Sequence, residues 1–224
     1  MANPKMSAQH TLVNVDRLSA LAVATRRLHS LPEIEKSRAR TDPEALDTCL
    51  ASAVALVTEH AAPRGLYLPV IAQREDGLLR LGPAEVQNEA LFRQVRTGER
   101  VLLYLVSNGY TSMSMFEAVE KDYVAYHFQH FMSLQLLFTS ANLFHEEVER
   151  REGKTFRRFP VLNGRPRDFT MEEDERGAAP SLWDAQSVAG LFRAFEPNAL
   201  GVEITQVGDL NPIYSLMGVK VERK

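Results

Sequence analysis

The sequence contains a single cysteine, Cys49, among its 224 residues. One thiol excludes an internal disulfide, and it excludes a zinc or iron–sulfur site built from cysteines alone within one chain. No apolar run approaches the roughly 20 residues that a membrane-crossing helix needs. The N-terminus also lacks the apolar core of a signal peptide. We therefore predict a cytoplasmic protein that has no membrane partner.

The chain also lacks an excess of basic residues. Its 26 lysines and arginines stand against 29 aspartates and glutamates, which gives a net charge of −3. Without surplus positive charge to neutralise phosphates, a general nucleic-acid binder is not expected. The hydrophobic fraction of 45% and the charged fraction of 25% are ordinary globular values. We predict a single domain over residues 1–224.

Familiar catalytic signatures are missing as well. We find no Gly-x-Gly-x-x-Gly, no phosphate loop and no Gly-x-Ser-x-Gly. His127 and His130 stand three residues apart, a spacing that can hold a metal on a helix, but no Glu-x-x-His pattern accompanies them. We interpret His130 as a hydrogen-bonded residue among apolar neighbours and His127 as a surface residue. No catalytic or metal-binding residue is assigned, and whether the protein is an enzyme stays open.

Hydrophobic spacing divides the chain into an N-terminal helical segment, residues 1–60, and an α+β core, residues 61–224. It predicts helices over residues 12–29 and 42–60. Asp42 is the expected cap of the second helix, with a proline at the first helical position.

The first strand of the core is predicted at residues 66–72, where Pro69 cannot donate to a ladder and so indicates an edge or a bulge. Asp76-Gly77 predicts a tight hairpin turn into a short return strand. A helix is then predicted over residues 84–96. The continuous apolar run 101–106 is typical of a strand that is buried on both faces, at the centre of a sheet.

A long helix is predicted over residues 114–152, ending at Gly153. The highly charged stretch 154–180 is predicted to be a loop. A helix and two strands complete the prediction, at residues 184–195, 200–207 and 213–221. Helices and strands that do not alternate regularly favour an α+β fold, with a mixed or antiparallel twisted sheet packed against long helices.

Seven basic residues lie in the last turn of the predicted long helix or soon after it: Arg150, Arg151, Lys154, Arg157, Arg158, Arg165 and Arg167. Because acidic residues follow at 172–175, one interpretation is mutual compensation on a solvated loop. The alternative is that one or two of these arginines bind the carboxylate of an amino-acid-like ligand, or an acidic partner surface. Arginine suits that role since it forms two parallel hydrogen bonds to a carboxylate.

Several different short motifs follow one another in a defined order over about residues 85–222. They are Ser107-Asn108-Gly109, Asp122-Tyr123-Val124-Ala125-Tyr126, Arg158-Phe159-Pro160, Trp183-Asp184-Ala185-Gln186, Gly201-Val202-Glu203-Ile204-Thr205, and finally Pro212, Ser215 and Gly218. This order resembles the reactivation domain of cobalamin-dependent methionine synthase, the module that presents S-adenosylmethionine to an oxidised corrinoid.

The resemblance implies a methionine synthase activation-domain-like fold with a site for S-adenosylmethionine. Arg158 would hold the ligand's carboxylate, Gln129 would help with its ammonium, and the backbone near Gly164 would approach it. Gln129 stands where the family has a second aspartate, and the family's Pro-Gly-Tyr is absent after Arg158, so altered donor binding is expected. The implied ligand-binding residues are Asp122, Tyr126, Gln129, Arg158, Pro160, Gly164, Trp183 and Gln186.

Two functions follow as alternatives. A stand-alone relative of the reactivation module would bind S-adenosylmethionine or a similar small ligand. It would dock to a corrinoid protein or methyltransferase, with cobalamin supplied only by that partner. In that case Arg158 and the turn before the C-terminal hairpin should converge on one small cleft. A non-catalytic assembly protein would instead act through a homodimer or partner interface, with Phe128 and Met132 forming a seam.

Overall fold

The computed structural model describes residues 10–110, 123–161, 183–196, 198–206 and 209–223. The helices are α1 (Arg17–His29), α2 (Pro32–Arg38), α3 (Pro43–His60), α4 (Glu89–Gln94), α5 (Tyr123–Glu152) and α6 (Ala185–Arg193). The strands are β1 (Thr11–Asn14), β2 (Arg64–Glu75), β3 (Leu78–Leu81), β4 (Ala84–Val86), β5 (Arg100–Ser107), β6 (Phe156–Val161), β7 (Glu203–Ile204), β8 (Leu210–Asn211) and β9 (Ser215–Glu222).

Seven strands form one antiparallel sheet in the order β4-β3-β2-β5-β9-β6, with β1 also paired to β2. β7 and β8 form a separate antiparallel pair. β5 lies between β2 and β9, and every residue from 101 to 106 is buried. The predicted α+β fold and the central position of the apolar strand are both confirmed.

Both faces of the sheet are covered, and the alternation of side chains along β5 divides them. Leu102, Tyr104 and Val106 belong to a core that also contains side chains of α1, α2, α3 and α5, on what we call the helical face. Val101, Leu103 and Leu105 point the other way, into a second core with β3, β4, α4 and α6, on what we call the outer face. A residue's position along a strand therefore decides which core it enters.

Pro69 lies within an interior strand but at a local edge. It is paired with Leu102 of β5, while on the other side of β2 the pairing with β1 ends at Tyr67 and that with β3 begins at Ala72. Pro69 thus falls in the gap between two partner strands, where a missing N–H costs no ladder bond.

Four short strands, β1, β4, β6 and β8, are not predicted from the sequence. Residues 11–14 form β1 and the first helix begins only at Arg17, because Asp16 caps it by accepting hydrogen bonds from the Leu18 and Ser19 amides. Residues 84–86 form β4 rather than the start of a helix, and Asn88 caps α4 instead. The predicted loop 154–180 begins with a strand, β6.

The end of the long helix is confirmed, since α5 ends at Glu152 and Gly153 has a φ of +64°. Its predicted start, residues 114–122, lies outside the described residues. None of the described helices combines the length and the hydrophobicity needed to cross a membrane.

Candidate functional site

Arg158 lies on the helical face of β6, half-buried against α5. Its Nη1 donates a hydrogen bond of 2.8 Å to Oδ1 of Asn142. Phe156, two residues earlier, belongs to the helical-face core, while Phe159 belongs to the outer-face core. No carboxylate among the described residues lies within ion-pair distance of Arg158. A guanidinium has five N–H donors, so the bond to Asn142 fixes its position and leaves donors for a ligand.

A second cation, Lys220, lies beside Arg158 on the neighbouring strand and is fully buried. The two residues are paired across β6 and β9. Nζ of Lys220 is 3.4 Å from both the His145 carbonyl oxygen and Oε1 of Glu149. Burial lowers the pKa of Lys220 to about 8, with the Glu149 carboxylate opposing this and the Arg158 cation adding to it.

His145 completes this buried polar group. Its ring meets Tyr104 edge-on, with 4.7 Å between the centroids. Burial, and then the Lys220 and Arg158 cations, hold the pKa of His145 well below its ordinary value, so the imidazole is neutral. Two cations and one carboxylate, Glu149, therefore share the space between α5 and the β6–β9 pair, an environment that favours an added anion.

Trp183 reaches β6 from the residue before the cap of α6. Its indole Nε1–H donates a 3.0 Å hydrogen bond to the carbonyl oxygen of Pro160, and the ring packs partly buried against the outer-face core. The structure thus brings Arg158, Pro160 and Trp183 to one stretch of β6. Gln186 is exposed on α6, without a described hydrogen bond to this group.

Tyr126 and Gln129 belong to a different cluster, in the first described turns of α5. The Tyr126 ring stacks on His130 at 6.2 Å between centroids, and Nδ1 of His130 is 3.0 Å from the Tyr214 hydroxyl. The interpretation of His130 as a hydrogen-bonded residue is confirmed. Gln129 is buried, and its Oε1 has no hydrogen-bond partner in the described structure.

The end of β5 contributes further polar groups to the cluster around His130. Nδ2 of the buried Asn108 donates to the Ser133 carbonyl oxygen at 2.9 Å, while its Oδ1 lacks a described partner. Tyr110 lies with its ring centroid 5.5 Å from that of Tyr214, and burial raises the pKa of Tyr110 to about 12. Amide oxygens and neutral aromatic hydroxyls dominate here, and the described residues include no metal-binding group of histidine, cysteine and carboxylates.

The two clusters are separate. Asn142, the contact of Arg158, follows Gln129 by 13 residues on α5, which is about 20 Å along the axis at the rise of an α-helix. The ammonium and carboxylate of an amino acid share one carbon, so Gln129 and Arg158 do not meet around the same group in this arrangement. Asp122 and Gly164 lie outside the described residues.

The expected convergence of Arg158 with the turn before the C-terminal hairpin stays a prediction, whereas the expected dimer seam is wrong. Phe128 and Met132 are 7% and 0% exposed, because α5 is covered by other helices in the helical-face core. They therefore cannot form an exposed dimer seam.

Lys220, His145 and Asn142 were not predicted as site residues. The sequence carried one signal for Lys220, a lone lysine between Val219 and Val221 in the predicted strand 213–221. Such a residue either reaches solvent or enters a core, and only the covering by α5 decides which. His145 carried no signal beyond its position on the long helix.

Comparison with known proteins places this geometry in a structural class. The sequence matches no family model and no curated protein. Among solved structures, the crystal structure of the MetH reactivation domain bound to AdoHcy matches with a TM-score of 0.60 and 13% identity, covering 95% of this chain and 78% of that chain. The chain has the fold of that reactivation domain, which confirms the resemblance inferred from the motifs.

Proposed function

We propose that this chain binds an S-adenosyl ligand, S-adenosylmethionine or AdoHcy, on the helical face of β6, with Arg158 receiving the ligand's carboxylate. The observation that carries the proposal is the state of Arg158. It is half-buried, oriented by Asn142 and without a carboxylate partner among the described residues. A domain of the same fold has been crystallised with AdoHcy, which supports this ligand class.

The surrounding charges favour a carboxylate at this position. Arg158 can form two parallel hydrogen bonds to the carboxylate. The buried Lys220 cation on the neighbouring strand adds electrostatic attraction for it. Hydrogen bonds to charged groups contribute about 1.5–3 kcal/mol each. Pro160 follows Arg158 on the same face of β6, and Gly164 comes four residues later in the sequence. Trp183 reaches the Pro160 carbonyl from the outer-face core and would fix this end of β6 rather than contact the ligand. Gln129 is not assigned to the ammonium, because of its distance along α5.

The proposal extends to a corrinoid protein or methyltransferase as the docking partner, with cobalamin arriving only on that partner. This chain would contribute position and electrostatics, since the methyl donor and the corrinoid carry the chemistry between them. Accordingly, no residue of the chain is assigned a catalytic role.

Isothermal titration of the full chain with AdoHcy tests the proposal. We expect saturable binding that weakens about tenfold or more in Arg158→Ala, because a charged hydrogen-bonding group is lost. Arg157→Ala is the matched control, since Arg157 is the neighbouring arginine on the other face of β6 and should leave AdoHcy binding unchanged. Repeating the titration with a purified corrinoid protein present tests docking, which should tighten or loosen AdoHcy binding.

Each variant is checked by thermal unfolding, because Arg158 also bonds to α5. Arg158→Lys keeps a cation and should retain more affinity than Arg158→Ala if charge on the ligand is what matters. Absence of AdoHcy binding by the wild type at millimolar concentration would contradict the proposal. Undiminished binding by a folded Arg158→Ala would show that the ligand binds elsewhere, and an unaltered titration with the corrinoid protein would remove the docking extension.

A further inference from the structure

A concavity lies between α4, the turn before β5 and the paired ends of β6 and β9. Its volume is about 610 Å³, and it is lined by four arginines, Arg93, Arg96, Arg157 and Arg223, together with Glu99 and Glu222 among other residues. Sites for small molecules commonly have volumes of about 300–1,000 Å³. Because its walls are dominated by guanidinium groups rather than apolar side chains, a charged occupant is favoured.

The residues that line this cleft have a net positive charge, whereas the whole chain has a net negative charge. Four arginines and two glutamates give the lining a net charge of +2, in a protein of net charge −3. Both carboxylates are already engaged. Oε2 of Glu99 accepts the Arg96 backbone N–H at 2.7 Å, and Oε2 of Glu222 lies 2.6 Å from Nζ of Lys154 at the rim. The two carboxylates offset two of the four guanidinium charges, so the lining keeps a net positive charge.

Two of the arginines are particularly available. No carboxylate in the described parts of the chain lies within ion-pair distance of the Arg96 or Arg157 guanidinium. Arg157 is half-buried and lies over the ring of Phe159, with 5.6 Å between Cζ and the centroid. That contact holds the planar group in place and leaves its N–H donors for an acceptor.

Backbone hydrogen bonds fix both walls of the cleft. On one side, the Gly98 N–H donates to the Ala72 carbonyl and the Ala72 N–H to the Glu99 carbonyl, each at 2.8 Å. On the other side, the Arg223 N–H donates to the Thr155 carbonyl at 2.9 Å, and Arg157 is paired with Val221 in the sheet. The arginines thus extend from anchored backbone, which reduces the entropy lost on binding.

We infer that this cleft binds a small polyphosphate anion, with Arg96 and Arg157 as its principal contacts. Several guanidinium groups around one cavity match a ligand with several charged oxygens, and arginine pairs with phosphate in the same two-bond geometry as with a carboxylate. The site is separate from Arg158, which lies on the opposite face of β6. The inference therefore does not depend on the proposed function.

Isothermal titration with inorganic pyrophosphate at constant ionic strength tests the inference. We expect saturable binding to the full chain that weakens about tenfold for Arg96→Ala or Arg157→Ala and about a hundredfold for the double variant. The control is the double variant Arg26→Ala/Arg27→Ala, which removes an equal number of positive charges from the exposed side of α1. It should bind pyrophosphate as tightly as the wild type does. Added salt should weaken binding, since part of the attraction is screened.

Three outcomes would overturn the inference. The first is that the wild type fails to bind pyrophosphate at millimolar concentration. The second is that pyrophosphate binding weakens as much in the α1 double variant as in the cleft double variant, which would mean that net charge alone explains the effect. Binding of poly-glutamate without binding of pyrophosphate would indicate a docking surface for an acidic protein instead. AdoHcy binding should survive in Arg96→Ala, so failure of one proposal can be distinguished from failure of the other.

Discussion

Lys220 is a lysine whose side chain is fully enclosed between β9 and α5. Removing an ammonium group from water is costly, and of the carboxylates in the described parts of the chain only Glu149 lies close enough to offset the cost. The neighbouring His145 avoids the same cost by remaining neutral. Stability is therefore linked to pH through both residues, although through opposite ends of the pH range.

Both shifts predict that stability rises with pH. In the folded state the pKa of His145 lies well below its ordinary value of 6.5. Below pH 6.5 the unfolded chain therefore binds a proton at this residue that the folded chain does not bind. The free energy of unfolding should then fall as pH drops below 6.5. For Lys220, with a pKa lowered from 10.5 to about 8, stability should rise between those values, by about 3 kcal/mol.

Urea unfolding over a series of pH values measures this dependence. His145→Gln should flatten the loss on the acidic side, and Lys220→Met should abolish the rise on the alkaline side, while the exposed His60→Gln serves as the control. Unchanged slopes in the two core variants would mean that neither group carries the linkage.

At the residue scale, the sequence singles out Arg158 as a candidate but not the residues that the structure places around it. Arg158 belongs to a series of motifs that can be recognised from their order along the chain, without knowing how the chain packs. Lys220 and Asn142 become neighbours of Arg158 only because β6 pairs with β9 and both lie against α5. Such contacts between distant segments follow from strand register, which the sequence does not state.

Two helices of this fold begin with the same capping arrangement in different surroundings. At α1, Asp16 accepts the hydroxyl hydrogen of Ser19 at 2.7 Å on the surface. At α6, Asp184 accepts the Ser187 backbone N–H at 2.8 Å and also the Ser187 hydroxyl, but here Ser187 is buried. The Ser187 hydroxyl oxygen accepts the Gln87 N–H at 2.9 Å as well, so the cap also holds α6 to the segment after β4.

The pair gives a graded prediction. Ser187→Ala should lower the free energy of unfolding by about 1–2 kcal/mol, because it leaves the Gln87 N–H without its acceptor. Ser19→Ala, the exposed counterpart, should change it by no more than about 0.5 kcal/mol. Urea denaturation measures both, and hydrogen exchange at the Gln87 amide should quicken only in Ser187→Ala. Equal costs for the two variants would refute the role of Ser187 as a link between elements.

At the element scale, long periodic segments and strong turns were predictable, whereas short strands were not. The predicted start of α3 and the Asp76-Gly77 turn both match the structure. β1 and β4 have four and three residues, too few for alternation to be told from a helical repeat. In place of β6 the sequence predicts a loop, because Arg157 and Arg158 interrupt its apolar pattern, and Arg158 bonds to Asn142 of α5 rather than to solvent.

Over the whole molecule, the N-terminal helical segment is built into the same structure as the rest. β1 is a strand of the main sheet, paired with β2. Leu28, Ile34 and Leu50, from the first three helices, are all completely buried in the helical-face core together with α5. These contacts support the prediction of one domain, since neither segment could be removed without exposing a core.

A single domain should unfold in one transition. Trp183, the only tryptophan, reports on the outer-face core, while far-UV circular dichroism reports mainly on the helices of the other face. We expect the two signals to change at the same urea concentration. Leu50→Ala, deep in the helical-face core, should lower both midpoints together, at a cost of about 3 kcal/mol. Separate midpoints, or a tryptophan signal indifferent to Leu50→Ala, would indicate two domains.

Among the described strands, β6 lies at one edge of the sheet, and its Pro160 carbonyl accepts a hydrogen bond from Trp183. A strand from another molecule could extend the sheet only by pairing with free backbone groups. At Pro160 no N–H exists, and the carbonyl is already occupied by the indole. Edge-to-edge pairing between molecules is therefore opposed at this point of β6. Replacing Pro160 or Trp183 should free backbone groups at the sheet edge and make aggregation into fibrils easier.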